Sequence, residues 1–172
     1  MIDKFNNIWY LLIFLIHFIG IGIYAYQTIF QTRKFCTKFE IDDSGFPMVR
    51  FVGAFMLGQV LMALYILFIR RNGVVAAGSF FNLVFLTNLC IFLVNSYSIL
   101  IDKTGVKTPE KSREGIIAPL IFSALSASLC YGLADKIYLY EPGLVMTPTK
   151  IILFAPIVVA YCNIFSTRRK IK

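Results

Sequence analysis

Five long apolar runs dominate this chain, at residues 8–30, 48–69, 73–101, 115–134 and 151–167. A helix rises 1.5 Å per residue, so about 20 apolar residues cross the roughly 30 Å hydrocarbon core of a bilayer. Each run reaches or nears that length. Barrel strands alternate in polarity and need only about 9–11 residues. These runs are too long and too evenly apolar for that. Lipid offers the backbone no hydrogen-bond partners, and a helix satisfies them internally. The expected fold class is therefore an all-α integral membrane protein. Residues 1–172 form a single transmembrane domain, a bundle of about five transmembrane helices. Four helices plus a re-entrant segment are the alternative.

The segments between the runs carry turn chemistry: DDSGFP at 42–47, RRNG at 70–73, DKTGVKTPEKSRE at 102–114 and YEPG at 140–143. None is long enough for a core of its own. The brevity of RRNG leads us to expect an antiparallel hairpin of the second and third helices. The first run exceeds the 7–15 apolar residues usual in a secretory signal, and no A-x-A site follows it, so it reads as a retained span. Trp9, Tyr10, Tyr24, Tyr26, Tyr138 and Tyr140 fall near the expected interfaces, as an aromatic belt would.

The net charge is +8. Lysine and arginine lack the aromatic interleaving of a single-strand binding surface, so nucleic acid is not an expected partner. Membrane lipids are. Placing the C-terminus in the cytoplasm puts twelve of the 17 basic residues on that side and leaves Lys4, Arg70, Arg71, Lys136 and Lys150 outside. With five spans the N-terminus is then outside. Arg33, Lys34, Arg168, Arg169 and Lys170 are expected to set topology or meet lipid head groups. The usage of Ile, Phe, Lys and Asn suits an AT-rich genome, so the inner (plasma) membrane of a bacterium is the expected location, with an organellar origin as the alternative.

All nine carboxylates lie outside the apolar cores of the runs. Proton relays and ion-coupled transport need ionisable groups at depth. The candidate at depth is His17, the single histidine. It reads either as a ligand to a haem or another pigment, or as an interhelical hydrogen-bond partner. No nucleophile elbow, P-loop, zinc-protease or dinucleotide motif appears, so no enzyme is expected. The cysteines form no C-x-x-C pair and no metal site is expected. Cys36 reads as the accessible one, while Cys90, Cys130 and Cys162 lie within runs as small apolar fillers.

The third run carries three amides. Asn88 and Asn95 are seven residues apart and share one helical stripe, whereas Asn82 lies about 120° away. An amide facing lipid lacks partners, so both faces should meet protein. Gln59, His17, serines of the fourth run and Asn163 are the expected answers. Small residues four apart, Ala54 with Gly58 and Ser123 with Ala127 among them, should permit close helix packing. The fourth run is densest in them and should be surrounded by protein, which points to other membrane subunits or to a second copy. These features together favour a non-catalytic accessory or structural subunit of a larger membrane complex. A small transporter or channel component with a polar path at Asn88 and Asn95 is the first alternative. A pigment-, haem- or quinone-binding protein using His17 is the second.

Overall fold

The structure is a computed structural model that describes residues 2–103, 113–140, 142–145, 147–152, 156 and 160. Among these all regular structure is helical, with no strand. The elements are α1 (Ile8–Phe30), α2 (Thr32–Lys38), α3 (Phe46–Leu64), α4 (Gly78–Tyr97), α5 (Glu114–Gly132) and α6 (Ala134–Ile137). Single π-turns extend α3 over Tyr65–Ile69 and α4 over Ser98–Asp102. Four helices, α1, α3, α4 and α5, are long and apolar enough to cross a membrane. The fifth expected run and Arg168, Arg169 and Lys170 fall largely or wholly outside the described residues.

The packing order is not the chain order. α1 packs against both α3 and α5, and α4 packs mainly against α5 while meeting α1 through side chains such as Phe14 with Phe81 and Phe18 with Phe80. The expected hairpin of α3 and α4 is not formed. Residues 70–77 are a turn segment rather than the start of a span, with Gly73 and Ala76 both at φ +54°. α4 starts at Gly78 instead of residue 73. Val74 is fully buried and Ala77 nearly so, while the Ala76 N–H donates to the Lys136 carbonyl at 3.0 Å. The apolar character of this stretch therefore serves core burial, not membrane crossing.

The N-terminal segment closes this end of the bundle. Phe5 is buried and edges onto Phe14. Lys4 Nζ donates to the Leu67 and Arg70 carbonyls, each at 3.0 Å, where the helical ladder of α3 and its π-turn runs out; the Arg70 carbonyl also accepts from the Gly73 N–H at 3.2 Å. The Lys4 charge also complements the negative end of that helix. Asn6 Nδ2 donates to the Gly132 carbonyl at the end of α5 and to Asp135. Asn7 caps α1 by accepting from the Trp9 and Tyr10 N–H groups. Three residues thus cap three helices. Replacing Lys4 with Ala should destabilise the protein by about 1 kcal/mol, at the middle of the capping range. Exchange of the amides in 65–73 should speed up in that variant while α5 is unaffected.

Candidate functional site

The buried polar groups gather on α4 and its neighbours. Asn88 is 6% exposed and His17 is fully buried. Asn88 Nδ2 lies 3.1 Å from His17 Nε2. With the amide donating, Nε2 accepts and the ring proton sits on Nδ1. Nδ1 is directed at the Phe122 backbone without reaching ordinary hydrogen-bond geometry. The rings of Phe18 and Phe122 stand edge-on to the imidazole, with centroids 4.8 and 5.5 Å away. Gly20 admits the Phe122 ring, since a Cβ there would lie 2.7 Å from Phe122 Cε1. One layer therefore joins α1, α4 and α5, and in it His17 acts as an interhelical hydrogen-bond partner.

Asn95 answers a different need. Pro119 lies inside α5 and has no N–H. The carbonyl four residues earlier, that of Gly115, consequently loses its partner in the helical ladder. Asn95 Nδ2 donates to that carbonyl at 2.7 Å. Asn95→Leu should therefore cost about 1–2 kcal/mol, the lower part of the range for an acceptor left unsatisfied, because the pair is half-buried. The same substitution in a Pro119→Ala background should cost much less, because the backbone N–H restored at position 119 then serves Gly115. A double-mutant cycle on chemically induced unfolding reads this coupling directly.

Asn82 is 8% exposed and uses both ends of its amide. Nδ2 donates to the Leu144 carbonyl at 2.7 Å. Oδ1 accepts a short bond from the Tyr138 hydroxyl. Tyr138 is thus buried and is not part of an aromatic belt. Its ring lies over Gly78, where a Cβ would come 2.7 Å from Cε1. Trp9, Tyr26 and Tyr140 do project outward.

All three amides are answered inside the chain. Only His17 was among the expected partners. Two of the others are backbone carbonyls, which carry no residue-type signal, and the remaining two are Tyr138 and the Cys130 thiol. Ser123, Ser126 and Ser128 bond back to carbonyls of their own helix at 2.7–2.9 Å. They leave α5 without need of polar partners across helices. Within the chain α5 is buried along one side: Ser123 and Ser126 are buried, Ala127 is half-buried, and Ile117, Leu120 and Ile121 face outward.

At the other end of α5, Glu114 accepts from the Tyr24 hydroxyl at 2.8 Å and pairs with Lys38. A carboxylate in the first turn of a helix is favourably placed against its dipole. Cys36, expected to be accessible, is 1% exposed. Burial, and then the nearby Asp43 carboxylate, push its thiol above the ordinary range. A raised thiol pKa leaves little reactive thiolate at neutral pH. Alkylation of Cys36 should therefore be slow at pH 7, and its rate should still climb at pH values where a free cysteine has levelled off.

α3 is joined to the bundle differently. It packs on α1 through Gly53, where a Cβ would lie 2.8 Å from Ile29 Cγ1 and closer still to Thr28 Oγ1. Thr28 turns its hydroxyl back to the Tyr24 and Ala25 carbonyls. Gln59 is 7% exposed and forms no side-chain hydrogen bond among the described residues. Among the described residues, Ala54 and Gly58 are not buried against another helix. Both are exposed, and a Cβ at Gly58 would have nothing within 4 Å. The close contact is thus one position away from the expected pair. Among the described residues, no group of three His, Cys, Asp or Glu side chains converges.

The chain matches no known protein family, no curated protein and no solved structure.

Proposed function

We propose that this chain is a non-catalytic subunit of a larger integral membrane assembly, and that α3 is the helix it offers to its partner. The observation that carries the reading is the asymmetry of α3. Among the described residues, α1, α4 and α5 are tied together by buried or half-buried polar bonds at several levels. Among the described spans α3 packs mainly on α1, and its Ala54–Gly58 face is exposed. Small residues four apart let a second helix approach closely in lipid, where packing rather than hydrophobicity drives association. The amides do not favour a polar path, because Asn88 and Asn95 are committed to His17 and Gly115. A photo-crosslinker at position 58 should capture one discrete product in native membranes. The same group at Leu120, an outward position on α5, should capture mainly lipid. Equal yields at both positions, or no protein product at 58, would remove the reading.

A further inference from the structure

An open hollow lies between the last turn of α1, the start of α2 and the start of α3, and its lining includes Phe30, Thr32, Arg33, Lys34, Phe46 and Arg50. We propose that it holds the phosphate of an anionic phospholipid, with Arg33, Lys34 and Arg50 as cationic walls.

Three cations line the hollow and no carboxylate does. None of the three forms an ion pair among the described residues. Like charges brought together without a counterion are unfavourable unless an anion joins them. The cluster is also held in place. Arg50 Nε donates to Thr32 Oγ1 at 3.1 Å. Thr32 is 3% exposed, and its own hydroxyl donates to the Thr28 carbonyl at 2.7 Å. This bond uses one edge of the guanidinium and leaves both terminal amino groups for a phosphate, whose oxygens match that planar fork.

The position favours a lipid over a soluble anion. Phe30 ends α1 and is 72% exposed; Met48 and Phe51, in the first turns of α3, are 65% and 70% exposed. The hollow thus stands where outward apolar side chains give way to outward basic ones. A phospholipid places its chains and its phosphate across the same boundary, and each nearby basic residue strengthens such attraction roughly fivefold.

The test uses the full chain in mild detergent, titrated with phosphatidylglycerol or phosphatidylcholine, with bound lipid counted by native mass spectrometry. Phosphatidylglycerol should bind at least roughly fivefold more tightly. The preference should vanish in the Arg33→Gln/Lys34→Gln/Arg50→Gln variant. It should persist in Arg70→Gln/Arg71→Gln, which removes two charges at the opposite end of α3. If the triple variant fails to fold, the exposed Lys34→Gln alone should weaken phosphatidylglycerol binding roughly fivefold. Equal binding of the two lipids, an unchanged preference in the hollow variants or an equal loss in the Arg70 and Arg71 control would overturn the assignment. Complete displacement of lipid by equimolar inorganic phosphate would also overturn it, in favour of a soluble anion.

Discussion

Replacing Gly53 with Val should separate α1 from α3 and destabilise the bundle by about 3 kcal/mol, the upper part of the range for overpacking a tight contact. The new side chain would press on Thr28 and Ile29. Thr28 has little freedom to retreat, because it is β-branched and its hydroxyl is bonded to its own helix. The same substitution five residues on, Gly58→Val, adds volume into open space. It should leave the unfolding free energy of the isolated chain within about 0.5 kcal/mol of the parent, as for a surface change. Unfolding each variant in the same detergent separates the two. The assembly should respond in addition to Gly58→Val, because the added methyl groups fill the face assigned to the partner helix. Equal stability effects at 53 and 58 would show that α3 is rotated from the orientation described.

The second large effect concerns His17 and Asn88. Asn88→Leu leaves a fully buried imidazole nitrogen without its partner, and His17→Leu leaves the amide unanswered. Each should cost about 1–3 kcal/mol, the penalty for orphaning a buried polar group. The double variant His17→Leu/Asn88→Leu removes both polar groups and should cost clearly less than the two singles together. Measured couplings between helices in a membrane protein average about 0.6 kcal/mol and reach about 1.7. We expect the upper part of that range, since both partners are nearly or fully inaccessible. Strict additivity would contradict a bond between them.

Apolar length made four spans legible, because crossing lipid demands a number of residues that few other structures need. The same measure failed at residues 73–77. There the chain turns inside the core, and Val74 is apolar for burial against the same cluster as Phe5 and Leu133. Hydropathy does not distinguish that burial from lipid exposure. Asn82 and Asn88 were legible as buried amides, and His17 as a partner for one of them. The role of Asn95 follows from Pro119, whose missing N–H exposes the Gly115 carbonyl. That link joins a proline to an amide on a different helix, and no periodicity reveals it. The choice of Gly53 over Ala54 and Gly58 was also hidden. Spacing gives the separation of small residues along a helix, but a helix apolar on all sides does not say which side meets its neighbour. Lys4 and Lys150 were read as topological charges. In the structure both donate to backbone carbonyls at a helix end or turn.

The subunit reading rests on an open face of α3, and its most direct test is the native mass of the protein released in a lipid-preserving extraction. The chain alone is 19.6 kDa. A discrete species well above that mass, with fixed stoichiometry across several mild extractions, is the expected result. A single chain carrying only lipid under all of those conditions would contradict it.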